Sequence, residues 1–157
     1  MLTALLWTAL VQAETSLTQI LLTNQLQCKQ PYTMTVGYPQ GDKALWIKIE
    51  RGGETMAAQK LDVPFTNAEG TIFDADESGC EEALVDLTGS GKRAGLFVSF
   101  PKGKAKLTVF PTSPDSAEKA SRTRNRIRVY GQQKKKMCVT DYAIKQDDLQ
   151  KSFSECY

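Results

Sequence analysis

Histidine is absent from this 157-residue chain. Its absence excludes catalysis by Ser-His-Asp or Cys-His groups, and it excludes any metal site built on imidazole ligands. It also removes the side chain that most often acts as a general base near neutral pH. A carboxylate-based hydrolase stays open, but no pair of acidic residues shows the spacing that would mark one. The sequence therefore favours a binding protein over an enzyme and points to no cofactor.

Cysteine is scarce and never clustered. Cys28, Cys80, Cys138 and Cys156 stand far apart and no C-x-x-C occurs, so zinc ribbons and thioredoxin-type chemistry have no support. An even number of cysteines in an exported chain is typical of two disulfides, for which three pairings are possible. The chain also lacks an Asn-x-Ser/Thr site, which favours a bacterial periplasm over a eukaryotic secretory route.

Long hydrophobic runs are missing as well. The apolar run over residues 2–11 is too short to cross a bilayer. It ends in small residues near Ala13 and resembles a secretory signal peptide over residues 1–13, although a buried N-terminal helix is the alternative. We expect residues 14–157 to form a single β-rich domain that is secreted or periplasmic and has no membrane span.

Charge is nearly balanced overall, at +2, but unevenly distributed. Residues 14–88 carry 5 basic and 12 acidic side chains, a net charge of −7, whereas residues 89–157 carry 15 basic and 6 acidic ones, a net charge of +9. The two halves either neutralise each other within one fold or leave a basic face for an acidic partner. Aromatic residues near the basic ones are few, so we do not expect nucleic acid as the partner.

Short alternating stretches dominate the rest of the chain. Residues 32–38 and 44–50 alternate apolar with polar side chains, and residues 88–110 read as two strands joined by a Pro-Lys-Gly turn. Many short strands with turn signals between them predict a mainly β fold, a small antiparallel β-barrel or sandwich with two disulfides.

One or two short helices are predicted beside these strands. Ser78 followed three residues later by Glu81 indicates a capping box for a helix over residues 80–87, and the segment 141–157 is expected to end in a short amphipathic helix. The acidic segment 74–79 resembles the first half of a calcium loop. Val85 stands where such a loop needs its bidentate Glu, so we expect weak calcium binding or none, and no metal site.

Four arginines alternate along one stretch: Arg122, Arg124, Arg126 and Arg128. In a strand this spacing places their side chains on one face. Such a stripe would bind an anionic surface or glycan, although an exposed edge strand protected by charge has the same pattern.

The order of short motifs resembles that of the bacterial periplasmic inhibitors of C-type lysozyme. A Cys before a T-x-T-V strand is followed by an apolar strand, a glycine turn, an S-G-x-R-like turn, an aromatic strand, a K-G turn, another apolar strand and a closing Cys. Here these motifs are Cys28, Thr33-Met34-Thr35-Val36, Leu45, Gly52-Gly53, Ser90-Gly91-Lys92-Arg93, Phe97 to Phe100, Lys102-Gly103, Leu107 to Phe110 and Cys138.

The resemblance implies a function, a mechanism and a pairing of the cysteines. It implies a non-enzymatic protein that plugs the active-site cleft of a C-type lysozyme, with Ser90 and Lys102 meeting the two catalytic carboxyl groups. Arg93 would support the turn or pair with a carboxylate, and the loop 89–91 would fold back along its strand. It also implies a Cys28–Cys138 disulfide, which leaves Cys80 to pair with Cys156. The alternative function is a secreted adhesion module that uses the arginine stripe.

Overall fold

The computed structural model describes residues 16–110 and 126–157, so the predicted signal peptide, Arg122 and Arg124 lie outside the described residues. Eleven strands make up the described chain, with one 3-10 turn at Pro101–Gly103 between β7 and β8. In chain order the strands are β1 (Leu17–Leu26), β2 (Tyr32–Pro39), β3 (Leu45–Arg51), β4 (Glu54–Leu61), β5 (Asn67–Phe73), β6 (Glu82–Gly89), β7 (Lys92–Ser99), β8 (Lys106–Phe110), β9 (Arg126–Gln133), β10 (Lys136–Lys145) and β11 (Asp148–Cys156).

The strands form three antiparallel sheets. The first has the order β1-β2-β3-β4, the second β5-β6-β7-β8, and the third β11-β10-β9. Each strand pairs with its neighbour along the chain, because turns of a few residues are enough to join antiparallel strands. The predicted mainly β, antiparallel fold is confirmed, and the three open sheets fit the sandwich alternative rather than a closed barrel.

Two hydrophobic cores separate the sheets into layers. The first core lies between the first and second sheets and contains Met34, Ile47, Val85 and Leu96 among its buried residues. The second lies between the second and third sheets, where Phe97 and Ile127 are fully buried. The second sheet is therefore the middle layer and buries both of its faces.

The predicted helix over residues 80–87 is wrong, since this segment forms β6. Ala83, Val85 and Leu87 face the first core, whereas Leu84 faces the second. A strand buried on both faces carries a continuous apolar run, which periodicity alone does not distinguish from a short helix. Ser78 consequently caps no helix.

The predicted C-terminal helix is also wrong. Its segment forms the end of β10 and all of β11, which pair antiparallel from Cys138–Cys156 to Lys145–Asp148. Gln146 and Asp147 make the tight turn between them, each with a positive φ, of 52° and 57°. Two consecutive residues with positive φ are typical of the type I′ turn that joins the strands of a hairpin.

Two disulfides form, as expected, but the implied pairing is wrong: Cys28 pairs with Cys80, and Cys138 pairs with Cys156. Cys28 follows β1 of the first sheet and Cys80 precedes β6 of the second, so their bond joins two adjacent layers. Cys138 lies on β10 in the third layer, directly opposite Cys156 on β11. A Cys28–Cys138 bond would have to connect the outer two layers across the middle sheet.

No helix long and apolar enough to cross a membrane occurs in the described part of the chain.

Candidate functional site

The turn between β7 and β8 carries Lys102 at one end of the sandwich. Lys102 is exposed and has a φ of 53°, and Gly103 follows with a φ of 73°. Within residues 16–110 and 126–157, no carboxylate forms an ion pair with the Lys102 ammonium. The structure thus places this predicted site residue at the tip of a hairpin.

A groove of about 540 Å³ lies beside this turn, at the end of the first two sheets where the Cys28–Cys80 disulfide joins them. Lys29 and Arg51 bring positive charge to its lining from the first sheet and its loop. Ser78 and Asp147 line it from the loop after β5 and from the β10–β11 turn. The groove is therefore polar and carries charges of both signs.

Aromatic packing holds the Lys102 turn against the first sheet. Phe100 is 1% exposed and stacks on Tyr32 with 4.3 Å between the ring centroids. The Tyr32 hydroxyl donates to the Gly103 carbonyl oxygen over 3.4 Å. Arg51 lies 5.4 Å from the centroid of the Tyr32 ring, and one of its NH groups donates to the Tyr32 hydroxyl at 3.3 Å. A cation above an aromatic ring is attracted by the negative face of the ring.

Ser90 lies at the opposite end of β7 from Lys102. It forms a two-residue turn with Gly91, because Gly89 and Lys92 pair directly across β6 and β7. Its hydroxyl donates to the Pro64 carbonyl oxygen at 3.2 Å. With 8 residues at about 3.4 Å each, β7 is roughly 27 Å long. The expected fold-back of the loop is not formed, so the structure does not bring Ser90 and Lys102 together.

Arg93 is already engaged by a carboxylate of its own chain. Its Nε donates to Asp86 Oδ1 at 3.0 Å, and a terminal NH₂ donates to Oδ2 at 2.6 Å. This bidentate geometry is the strong form of the Arg–carboxylate pair. Arg93 is therefore paired within its own chain, close to Ser90 and at the other end of β7 from Lys102.

The described part of the arginine stripe is half neutralised. Arg126 and Arg128 share a face of β9 and are both exposed. Arg128 donates to both carboxylate oxygens of Asp141 on β10, at 2.7 and 2.9 Å. This hydrogen-bonded guanidinium lowers the pKa of Asp141. Of the two described members, only Arg126 keeps its guanidinium outside such a pair.

A cluster of carboxylates lies where the second and third sheets meet, next to the groove. One carboxylate oxygen from each of Asp74, Asp76 and Glu82 lies within 4.8 Å of those of the other two. The Asp147 backbone N–H donates to Asp76 at 2.7 Å. The Asp147 carboxylate accepts a hydrogen bond of 2.6 Å from the Ser78 hydroxyl. The cluster thus joins the loop after β5, the start of β6 and the β10–β11 turn.

Glu82 is the buried member of this cluster, with 0% exposure. Its Oε2 accepts a hydrogen bond of 3.0 Å from the Ala75 backbone N–H, whereas its Oε1 is buried without a hydrogen-bond partner. Burial raises the pKa of Glu82 to about 8, and the nearby negative charges of Asp76 and Asp147 act in the same direction. A carboxyl group in these surroundings lacks a compensating cation.

Four residues of these two sites were not predicted from the sequence: Tyr32, Arg51, Glu82 and Asp147. The sequence predicts only that Tyr32 belongs to the strand over residues 32–38 and that Arg51 follows the strand over residues 44–50. The predicted helix over residues 80–87 includes Glu82, and no local signal distinguishes Glu82 from the adjacent Glu81. Asp147 carries no local signal, because the β10–β11 turn brings it to the cluster from 71 residues beyond Asp76.

No protein-family model, no curated protein sequence and no solved structure matches this chain. The features that bear on function are therefore the groove, the Lys102 turn and the carboxylate cluster.

Proposed function

We propose that the chain is an exported, non-enzymatic binding protein that inserts the Lys102 turn into an acidic cleft of a target enzyme. A C-type lysozyme is the first target to test, because the motif order around the turn resembles that of the lysozyme inhibitors. The observation that carries the proposal is the exposed ammonium of Lys102 at a hairpin tip, with no ion pair among the described residues.

The support of the turn favours tight insertion. Pro101 restricts the backbone before Lys102, and the Phe100–Tyr32 stack anchors the turn to the first sheet. A segment that is already held in its bound conformation loses little conformational entropy when it binds. The flexible part of the contact is then the Lys102 side chain alone.

The charges around the turn suit a negatively charged cleft. Lys29 and Arg51 line the groove beside Lys102, and the exposed Lys104 follows the turn. Glycosidases of the lysozyme type use a pair of carboxyl groups, about 5 Å apart in retaining enzymes. Lys102 and the neighbouring cations can meet such a pair, whereas Ser90 lies beyond the other end of β7, a strand roughly 27 Å long. The resemblance assigns the contact with the second carboxyl group to Ser90. In this fold we assign that contact to Arg51, the cation beside the Lys102 turn.

The test is the lysis of a bacterial suspension by a panel of C-type lysozymes, with increasing amounts of the protein. Truncating one partner of a buried charge pair costs roughly 2–5 kcal/mol of binding free energy. We expect Lys102→Ala to weaken inhibition at least tenfold. Ser90→Ala is the matched control and should inhibit like the wild type.

Two results would contradict the proposal. If Ser90→Ala weakens inhibition as much as Lys102→Ala, the contact is not confined to the Lys102 end. If the wild type leaves lysis unchanged with every lysozyme but binds an anionic glycan matrix in a salt-sensitive way, the arginine stripe is the working surface.

A further inference from the structure

The carboxylate cluster has the composition of a site for a hard cation. Its members come from three parts of the chain: Asp74 and Asp76 from the loop after β5, Glu82 from β6, and Asp147 from the β10–β11 turn. All of the side-chain donors are oxygens, and the Ser78 hydroxyl adds another within hydrogen-bond distance of Asp147. Asp74, Asp76 and Asp147 alone would not indicate an ion site, since acidic groups often lie together on protein surfaces.

Glu82 supplies the independent observation. It is completely buried, one of its carboxylate oxygens lies within 4.8 Å of oxygens of Asp74 and Asp76, and its Oε1 accepts no hydrogen bond. A buried carboxylate is costly unless a cation or several hydrogen bonds compensate it. In residues 16–110 and 126–157, no Lys or Arg forms an ion pair with Asp74, Asp76, Glu82 or Asp147. The point where these oxygens meet therefore lacks a positive charge.

We propose that this cluster binds one calcium ion, with Asp74, Asp76 and Glu82 as protein ligands and Asp147 beside them. Calcium takes six to eight oxygens at about 2.3–2.6 Å, so ligand oxygens on opposite sides of the ion are roughly 5 Å apart. The three carboxylate oxygens lie within 4.8 Å of one another, which fits around a single ion of this size.

The donors select against other common metals. Zinc prefers nitrogen and sulfur ligands, whereas this chain has no histidine and holds all four cysteines in disulfides. Magnesium requires near-ideal octahedral geometry at about 2.1 Å and usually binds through one or two carboxylates and several waters. A group of several carboxylates around a buried Glu suits the larger calcium ion.

A bound ion would fix the loop after β5, which contacts the third layer. The Asp147 N–H and the Ser78 hydroxyl make the direct hydrogen bonds between the β10–β11 turn and this loop. An ion held by Glu82 and the two loop carboxylates would hold the loop against β6 in the position that makes these bonds. Calcium should therefore raise the melting temperature and protect the β10–β11 hairpin from proteolysis.

The experiment is thermal unfolding of the full, oxidised chain after removal of metals with a chelator. Calcium chloride or magnesium chloride is then added at constant ionic strength. With calcium at roughly 100 times its Kd, we expect the melting temperature to rise by about 5–10 °C and to return to its starting value with chelator. The rise with magnesium should be clearly smaller, and calorimetric titration should give one calcium ion per chain.

Variants separate a bound ion from a general effect of salt. Glu82→Gln keeps the shape of the side chain and removes its ionisable carboxyl group, so it should abolish the calcium-dependent rise. Glu54→Gln makes the same substitution at an exposed position at the start of β4 and should keep the full rise.

Three outcomes would overturn the assignment. The first is no rise in the wild type and no heat of binding up to about 10 mM calcium, ten times the weakest Kd typical of extracellular calcium modules. The second is an undiminished rise in Glu82→Gln. The third, an equal rise with magnesium, would overturn the choice of calcium. If Glu82→Gln does not fold, the wild-type titration alone still decides the outcome.

Discussion

The two disulfides are predicted to contribute unequally to stability. Cys28 and Cys80 are 52 residues apart in sequence, whereas Cys138 and Cys156 are 18 residues apart. In the chain-entropy account, a cross-link destabilises the unfolded chain more when it closes a longer loop. The same relation gives about 4 kcal/mol for the first bond and about 3 kcal/mol for the second.

The surroundings of the two bonds enlarge this difference. Without the Cys138–Cys156 bond, β10 and β11 keep the backbone hydrogen bonds of their pairing. The Cys28–Cys80 bond instead joins two loops, which are held together less extensively than the paired strands. Two hydrogen bonds join these loops: the Glu81 N–H donates to the Gln27 carbonyl oxygen at 2.8 Å, and the Gln27 N–H donates to the Glu81 carboxylate at 2.7 Å.

The assay compares two double variants, Cys28→Ala with Cys80→Ala and Cys138→Ala with Cys156→Ala. Each pair contains one buried and one more exposed cysteine, so the substitutions themselves have similar costs. Urea unfolding followed by far-UV circular dichroism should show the larger loss of free energy of unfolding for the first pair, by about 1 kcal/mol or more. The reasoning is refuted if the second pair loses more, or if peptide mapping of the oxidised wild type recovers a Cys28–Cys138 peptide.

Three further predictions test the sheets. Asp141→Asn should lower the free energy of unfolding by about 1 kcal/mol at pH 7. Because Arg128 depresses the pKa of Asp141, the stabilising contribution of this pair exists above the unfolded pKa of about 4 and is lost as the pH falls through the lower folded pKa. The free energies of unfolding of the two proteins, measured with urea, should therefore converge near pH 2. A difference that stays constant with pH would contradict this reasoning. Gly37→Ala should cost about 1–3 kcal/mol, since a Cβ there would lie 2.5 Å from the Gln19 carbonyl oxygen; an unchanged urea midpoint would show that β1 does not pack there as described. Ile127→Ala should cost about 2–5 kcal/mol, because this side chain is fully buried between the second and third sheets; a loss below about 0.5 kcal/mol in the same assay would mean that the third sheet does not cover it.

The strands that bury one face could be predicted from the sequence. Alternation over residues 32–38 and 44–50 corresponds to β2 (Tyr32–Pro39) and β3 (Leu45–Arg51), and the predicted and observed ends agree to within one residue. Alternation reports which face of a strand is buried, and the first sheet buries one face against the first core. The hairpin of β7 and β8 was found for a further reason, because Pro101 and Gly103 give its turn a strong local signal.

The predictions of helices failed where this physical basis is absent. In β6 both faces are buried, so Ala83, Leu84 and Val85 follow one another without alternation. The β10–β11 hairpin turns at Gln146-Asp147, which contains neither glycine nor proline, although both residues have positive φ. The layer order was equally invisible in the sequence, and it is the layer order that determines which cysteines meet.

The proposed calcium site does not correspond to a local sequence motif. A calcium loop of the EF-hand type supplies its ligands from twelve consecutive residues, and Val85 occupies the position of the required Glu. In the folded chain the carboxylate arrives earlier, from Glu82, because β6 pairs with β5 so that Glu82 lies opposite Phe73, directly before the acidic loop. The remaining carboxylate, Asp147, comes from a hairpin of another sheet. A site whose ligands come from three segments has no fixed spacing in the sequence by which it could be recognised. The burial of Glu82 and the lack of a hydrogen bond to its Oε1, which point to the site, are visible only in the structure.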